Sequence, residues 1–428
     1  MRVKLAYGRD SLDVELPDQT EVILPRPTPG LVDEAAALRT ALRHPIASPA
    51  LAALVKAGDR VVVVHTDITR ATPNDRLLPV LLAELEEAGV RRQDITLLNG
   101  LGTHRRQTEA ELRQMLGEAV VANYRCLQHN CFDEESLVSL GVTRRGHPVR
   151  VNRTYLEADV RILTGFIEPH FFAGYSGGPK AILPSLAGAE SVYSNHGLPM
   201  IADPNANWGV TQGNPIWEEM REVALMTRPT FLLNVTLNAE HEITGVFAGD
   251  MLEAHAAGCE FVRECAMVGV ETPYDIVIST NSGYPLDQNL YQTVKGMSAA
   301  AKVVRTGGAI IMAAGCEDGV PNHGRYADLL ATGGSPQGVL DLISQPGFEA
   351  QDQWQVQVQA QIQLRATIYV FSDGLSDEQI AGALLTPCRS IEATTGALLA
   401  TYGPGARLCV LPQGPQTIPY LADRNAHD

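Results

Sequence analysis

Short apolar runs that alternate with helix-forming segments constrain the fold of this chain more than any other feature. The run DRVVVVHTD at 59–67 is rich in β-branched residues and bounded by polar ones, as is typical of a parallel strand buried on both faces. A helical pattern, DRLLPVLLAELEEAG, follows it and ends at Gly89. Further apolar runs of the same kind are ITLLNG, ADVRILTG, FLLNVTLN, YDIVIST, GGAIIMAAG, TIYVFSDG and ARLCVLP. The alternation predicts an α/β protein built from three-layer units with mainly parallel sheets.

The length of the chain predicts two domains. A chain of 428 residues exceeds what one ordinary core accommodates, and the strand–helix series restarts near ETPYD at 271–275. We therefore expect an N-terminal domain at 1–270, a C-terminal domain at 271–410 and a cleft between them. The first 25 residues have the pattern of a β-hairpin, and we expect the tail at 411–428 to pack on the first domain.

Charge and composition exclude several classes of partner. The formal net charge of −16 disfavours nucleic acid and anionic membranes, which need a basic surface. A local basic pocket could still bind a small anionic substrate. The start of the chain has no signal-peptide pattern, no apolar run is long enough to span a membrane, and the seven cysteines are scattered. Together these features favour a reducing, cytoplasmic location.

Two strand ends carry polar loops suited to ligand binding. HTDITR at 65–70 places Asp67, Thr69 and Arg70 after a predicted strand, where α/β proteins bind ligands. These side chains could hold a ribose hydroxyl and an anion, or they could form a helix-capping turn. His104 follows Gly100 and Gly102 in the next such loop; it is a candidate acid or base, with a solvated loop histidine as the alternative.

The segment EPHFFAGYSGGPK at 168–180 is the most unusual loop. It is not a Walker A motif, because its glycines lie too close to the lysine and no Ser or Thr follows. Ser176 and Gly177 could begin an anion-binding nest of backbone N–H groups. Lys180 would then contact a bound anion or form a covalent bond to a carbonyl carbon, unless it is an ordinary surface lysine.

Two further positions suggest a metal contact and a carboxylate contact. His196 could supply one imidazole ligand to nickel, copper or zinc, but no HExxH motif or carboxylate cluster accompanies it. Gln292 and Lys295 are three residues apart on one predicted helical face. They suit a carboxylate next to a hydroxyl or carbonyl group, although a solvated helix face is the simpler alternative.

Taken together, the motifs resemble those of the nickel-pincer lactate racemases. The resemblance covers nearly the whole chain in order and spacing. It is carried by DITR at 67–70, GTH at 102–104, EPHFFAGYSGGPK at 168–180, NHG at 195–197 and LDQNLYQTVKG at 286–296.

The resemblance implies a cofactor and its attachment. Lys180 matches the lysine that holds a nickel-pincer nucleotide, a pyridinium-3-thioamide-5-thiocarboxylate mononucleotide, through a thioamide bond. His196 matches the histidine that completes the coordination of nickel, whose other ligands are a sulfur, a carbon and a sulfur of the cofactor. The resemblance also implies separate proteins that make the cofactor. The further cofactor contacts expected are Asp67, Thr69, Arg70, Ser176, Gly177 and Trp354.

The resemblance also implies the reaction and the substrate contacts. A 2-hydroxy acid would be racemised by reversible hydride transfer, with His104 and His170 as the paired acid and base. Arg70, Tyr291, Gln292 and Lys295 would bind the substrate.

Three alternatives remain open at this point. The same cofactor could serve a racemase or epimerase of a larger 2-hydroxy acid or a sugar. The chain could instead be a non-enzymatic carrier of nickel or of a nucleotide. A nicotinamide dehydrogenase is disfavoured, because GxGxxG does not follow the first strand.

Overall fold

Strands and helices alternate along most of the chain in the computed structural model, which describes residues 1–322 and 324–422. The strands are β1 (Arg2–Tyr7), β2 (Asp10–Glu15), β3 (Glu21–Val22), β4 (Val61–Thr66), β5 (Ile95–Gly100), β6 (Arg125–Gln128), β7 (Leu137–Val142), β8 (Pro148–Asn152), β9 (Val160–Phe166), β10 (Pro169–His170), β11 (Gly174–Tyr175), β12 (Phe231–Leu237), β13 (Ile243–Gly249), β14 (Met267–Val270), β15 (Tyr274–Thr280), β16 (Val304–Ala313), β17 (Ala366–Phe371), β18 (Thr386–Pro387), β19 (Leu408–Leu411) and β20 (Ile418–Leu421).

The helices connect these strands and cover the sheets. They are α1 (Glu34–Arg43), α2 (Leu51–Leu54), α3 (Asn74–Glu87), α4 (Glu109–Leu116), α5 (Glu118–Asn123), α6 (Arg153–Glu157), α7 (Ala189–Asn195), α8 (Leu198–Ile201), α9 (Pro215–Thr227), α10 (Met251–Ala266), α11 (Leu290–Ala300), α12 (Tyr326–Gly333), α13 (Pro336–Ile343), α14 (Gln353–Gln363), α15 (Asp377–Gly382) and α16 (Ile391–Tyr402). Short 3-10 helices form at Arg92–Asp94, Glu134–Ser136, Gly178–Ala181 and Gly414–Gln416. Each of these helices is too short or too polar to cross a membrane, within the described ranges.

The first sheet has the strand order β13-β12-β9-β4-β5-β6. All neighbouring pairs are parallel except β12 with β13. The valines of β4 alternate between two cores: Val61 and Val63 pack under α1 and α3, whereas Val62 and Val64 face the opposite core. Because both faces are covered, the strand is apolar at consecutive positions, as its sequence predicts.

The second sheet has the order β18-β17-β16-β15-β19-β3, and all of its pairs are parallel. Val277 of β15 faces α11, whereas Ile276 and Ile278 pack on the opposite face against the β1–β2 hairpin and α16. The two sheets with their covering layers confirm the predicted α/β architecture.

The two terminal segments each supply a strand that pairs with a part of the chain distant in sequence. The predicted hairpin at 1–25 forms as β1 and β2, but β3 leaves it and pairs with β19. In the tail, β20 pairs in parallel with β14 at 267–270, and residues 423–428 lie outside the described residues. The division of the chain at residue 270 stays a prediction.

The two sheets share one apolar core across the predicted cleft. This core contains Phe171 and Trp208 from the first half of the chain and Val294 and Trp354 from the second. Trp208 Nε1 also donates a hydrogen bond to Ser298 Oγ at 3.1 Å. The loops at the carboxyl ends of β4, β5 and β9 are therefore brought against α11 and α14.

Candidate active site

A cavity lies between the strand ends of the first sheet and helices α11 and α14. It contains about 890 Å³ of unfilled space, part of which opens to solvent. The loops after β4, β5 and β9 form one side, as expected for a ligand site at the carboxyl ends of parallel strands. The predicted site residues that line it are Asp67, Arg70, His104, His170, Ser176, Gly177, Lys180, His196, Tyr291, Gln292, Lys295 and Trp354. Thr69 lines an adjoining chamber instead.

Half-buried His104 and buried Asp67 form a dyad beyond the ends of β5 and β4. The Nδ1–H of His104 donates to Asp67 Oδ2 at 2.5 Å, and the Thr69 hydroxyl donates to Asp67 Oδ1 at 2.7 Å. Burial alone would raise the pKa of Asp67, but the His104 ring, Arg70 and the Thr69 hydroxyl together bring it below its usual range. Asp67 therefore stays ionised and orients His104, leaving Nε2 as the free ring nitrogen.

Arg70 is paired with a carboxylate that the sequence reasoning missed. Its Nη1 lies 3.0 Å from Glu168 Oε1, and both side chains are largely buried. Glu168 immediately precedes Pro169 and His170, so the motif EPH was the available signal. Because β4 and β9 are neighbours in the sheet, the loops after them bring this pair together across 98 positions of sequence.

His170 lies in a row of rings that crosses the cavity. It contacts Phe172 edge-on with ring centroids 4.6 Å apart; Phe172 contacts His196 at 4.9 Å, and His196 contacts Trp354 at 5.3 Å. Burial, followed by the charge of Lys180, lowers the pKa of both histidines well below 6.5. The Ala173 N–H donates to His170 Nδ1 at 3.3 Å. In neutral His170 the proton is therefore on Nε2.

Lys180 lies in the short 3-10 helix that begins at the second glycine of the pair Gly177–Gly178. Gly177 and Gly178 have φ values of 75° and 51°, and a Cβ at Gly178 would lie 2.5 Å from the His255 ring. The glycines therefore permit a tight loop that returns Lys180 to the cavity. Burial, Arg70 and Lys295 lower the pKa of the Lys180 amine well below 10.5, which favours the neutral, nucleophilic form.

The loop before Lys180 does not form the expected anion nest. The N–H of Ser176 donates to Glu168 O at 2.9 Å, and the N–H of Gly178 donates to Asn234 Oδ1 at 2.9 Å. His255 Nε2 lies 2.9 Å from the Ser176 carbonyl oxygen. A nest of free N–H groups at 176–178 is therefore wrong, because protein acceptors already occupy two of them.

Helices α11 and α14 supply the opposite side of the cavity. Trp354 Nε1 donates to the Tyr291 hydroxyl at 2.9 Å, which joins the two helices. Lys295 is buried, and burial together with Arg70 lowers its pKa to about 7. Gln292 is buried too, and no donor from the described part of the chain lies within hydrogen-bond distance of its Oε1. On this side of the cavity, the Lys295 amine and the Gln292 amide oxygen could therefore bind a ligand.

Comparisons with known proteins identify the family of the chain. The family profile described as the lactate racemase N-terminal domain matches residues 7–209, and that of the lactate racemase C-terminal domain matches 270–418. A lactate racemase of Thermoanaerobacterium thermosaccharolyticum is 34% identical over 422 residues, covering 97% of this chain and 98% of that protein. A lactate racemase of Lactiplantibacillus plantarum is 36% identical over 385 residues, covering 90% of each chain.

Two solved structures resemble the fold. The lactate racemase apoprotein of T. thermosaccharolyticum superposes with a TM-score of 0.90 at 33% identity, covering 98% of this chain and all of that one. A Thermotoga maritima protein superposes with a TM-score of 0.72 at 20% identity, covering 91% of this chain and 98% of that one, and it supports the fold alone. The chain therefore belongs to the lactate racemase family and is a racemase, an enzyme of the isomerase class.

Proposed function

We propose that the protein racemises lactate or a related 2-hydroxy acid with a nickel-pincer nucleotide attached to Lys180. The observation that carries the proposal is the meeting of two imidazoles, a buried amine and a carboxylate-binding pair in one cavity. A nickel or nucleotide carrier would need Lys180 and His196, but it would not need His104 and His170 as well.

The residues present fit this cofactor. Among the residues that the structure describes, no three His, Cys, Asp or Glu side chains cluster to hold a metal, so a metal at His196 would need other ligands from a bound group. His196 is buried, and its Nδ1 has no hydrogen-bond partner in the described chain. A neutral imidazole is a good nickel ligand, and a buried lysine amine with a lowered pKa, such as Lys180, suits a covalent link.

Binding of the substrate carboxylate falls to α11. The Lys295 ammonium would attract the carboxylate, and the Gln292 amide can hydrogen-bond the carboxylate or the neighbouring oxygen. Because Arg70 is already paired with Glu168, its charge toward the substrate is partly neutralised. We propose that Arg70 orients the substrate, whereas Lys295 supplies most of the attraction.

The two histidines are arranged for opposite proton transfers. His104 has Nδ1–H bound to Asp67 and presents Nε2 as a base, whereas neutral His170 carries its proton on Nε2 and can act as an acid. One imidazole can take the hydroxyl proton of the 2-hydroxy acid, and the other can return a proton to the oxygen of the planar 2-keto acid. When bound, the cofactor supplies the hydride acceptor. Two histidines are needed because the enantiomers place the hydroxyl on opposite sides.

We propose further that the enzyme works in the cytoplasm on a small anionic substrate. Separate proteins would make the cofactor and deliver it to the enzyme. The seven cysteines are all free, which suits a reducing compartment. Enzyme produced without the maturation proteins should be folded but inactive.

Chiral chromatography of holoenzyme reactions tests the proposal. Each enantiomer of lactate, and of a panel of 2-hydroxy acids, is supplied separately without nicotinamide. We expect either lactate enantiomer to approach an equal mixture. If the cofactor-loaded enzyme inverts no 2-hydroxy acid in the panel, the proposed function is wrong.

A further inference from the structure

A second chamber adjoins the cavity behind His104, and we call it the substituent chamber. It contains about 480 Å³ of unfilled space, including open solvent. Thr103, His104, Tyr291 and Gln292 line both spaces, so a substrate held by α11 lies beside it. The other residues that line the chamber are Ile68, Thr69, Arg105, Gln107, Gln288, Asn289, Asp318, Pro321, Gln351 and Asp352.

Two glutamine side chains in the wall of the chamber have unpaired amide atoms. Gln288 is 4% exposed and Gln292 is 3% exposed. Within residues 1–322 and 324–422, Gln288 Nε2 has no acceptor and Gln292 Oε1 has no donor. A buried polar atom without a partner is unfavourable. Within the described ranges Gln288 thus has an unused donor and Gln292 an unused acceptor, and a hydroxyl group can bond to both kinds of group.

The charges around the chamber disfavour a second carboxylate. Asp318 and Asp352 both line it. Burial raises the pKa of Asp352 to about 6, so this side chain is mostly ionised at neutral pH. Arg105 is the cation in the wall, and it is paired with Glu111 at 2.6 Å. A neutral polar group therefore suits the chamber better than an anion does.

We propose that the substituent chamber receives a hydroxyl-bearing substituent on C2 and that Gln288 is a specificity residue for it. The substrate class is then the 2,3-dihydroxy acids, of which glycerate is the smallest. This inference rests on the proposed function and adds the kind of C2 substituent that the chamber receives.

Glycerate and 2-hydroxybutyrate provide the test, because a hydroxymethyl and an ethyl group have nearly the same size. We expect holoenzyme to show a kcat/KM for glycerate at least about tenfold above that for 2-hydroxybutyrate, since a polar site rejects an isostere that lacks the hydroxyl. Malate, which adds a carboxylate, should be at least about tenfold poorer than glycerate. A preference for 2-hydroxybutyrate or malate over glycerate would overturn the proposal.

The variant Gln288→Met keeps the length of the side chain but removes its amide. We expect the glycerate to 2-hydroxybutyrate ratio to fall to near one, whereas Gln337→Met on an exposed helix position leaves it unchanged. Both substrates are measured with the same preparation. A smaller fraction of folded or cofactor-loaded enzyme therefore lowers both rates equally and leaves their ratio unchanged. An unchanged ratio in Gln288→Met would show that the amide serves water or structure only and would overturn the assignment.

The failure of this inference is distinguishable from failure of the proposed function. If the enzyme racemises lactate but does not prefer glycerate over 2-hydroxybutyrate, the inference is wrong and the proposed function is unaffected. If the enzyme inverts none of the 2-hydroxy acids, both the inference and the proposed function are wrong.

Discussion

The two sides of the cavity differ in how their polar side chains are held. On the side of the first sheet, Asp67 is bonded to His104 and Arg70 to Glu168. On the side of α11, Gln292 Oε1 has no partner in the described chain, and Lys295 is a buried amine with a pKa of about 7. Under the proposed function, the first side would move protons with side chains that are already paired, whereas the second side would bind the ligand with side chains that have no partner yet in the part of the chain that the structure describes. Changes on the first side should lower kcat, and changes on the second should raise KM.

The largest effect should come from Lys180→Ala on the first side. Without the amine no covalent link to the cofactor can form, so activity should fall to the rate without enzyme. Intact mass spectrometry of holoprotein should show an added mass in the wild type and in the exposed-lysine control Lys56→Ala, but not in Lys180→Ala. The same added mass in all three proteins would contradict the attachment.

His104→Ala should lower kcat about 10²–10⁴-fold in both directions, because general acid–base help of that size is lost. The KM should change little, since the proposed carboxylate contacts, Gln292 and Lys295, are on the other side of the cavity. His44→Ala, at an exposed position, is the matched control. Full turnover in either direction after the loss of the His104 imidazole would refute its role and the division of labour between the two sides.

On the second side, Lys295→Met should raise the KM for lactate about 10–100-fold, which corresponds to a loss of about 1.4–2.8 kcal/mol of binding free energy when the buried charge contact is removed. The kcat at saturation should stay within a few-fold of the wild type. Lys4→Met, on an exposed strand position, should alter neither constant. A variant that loses kcat and keeps its KM would place Lys295 in the chemistry instead.

The smallest effect should be a dependence of kcat/KM on pH that is caused by the titration of Lys295 on the second side. The pKa of Lys295 is lowered to about 7, so the amine is cationic below that pH and neutral above it. We therefore expect kcat/KM for a carboxylate substrate to fall as the pH rises above 7, and to fall no further than the loss expected for Lys295→Met. In Lys295→Arg, which stays charged, this fall should disappear. Identical profiles in the two proteins would exclude Lys295 as the titrating group.

The sequence predicts some parts of the site well because they depend on local pattern. Valines at consecutive positions indicate β4, and the polar residues that follow it must lie at a strand end. The contact between Arg70 and Glu168 could not be predicted in this way, since it depends on which strands become neighbours. The role of Asp67 also needed the structure: spacing allowed a ribose contact, but its carboxylate accepts the Nδ1–H of His104.

Helix α14 shows how tertiary contacts override a local pattern. QDQWQVQVQAQIQ alternates polar and apolar residues, which fits a strand as well as a helix. The segment is a helix with buried glutamines on more than one side. Their amides donate to backbone carbonyls elsewhere, as Gln357 does to Leu198 O at 3.1 Å and Gln359 to Ala383 O at 2.8 Å. The alternating glutamines are therefore accommodated in a buried helix because backbone carbonyls from other parts of the chain accept hydrogen bonds from their amides.

The most direct test of the account is to follow the hydrogen on C2 during racemisation. Enantiopure lactate carrying deuterium at C2 is incubated with holoenzyme in ordinary water, and the inverted product is analysed by mass spectrometry. Hydride transfer with the two histidines handling only the hydroxyl proton predicts that the product retains its deuterium. Replacement of the deuterium by solvent hydrogen at the rate of inversion would show that C2 loses a proton, and it would contradict the account.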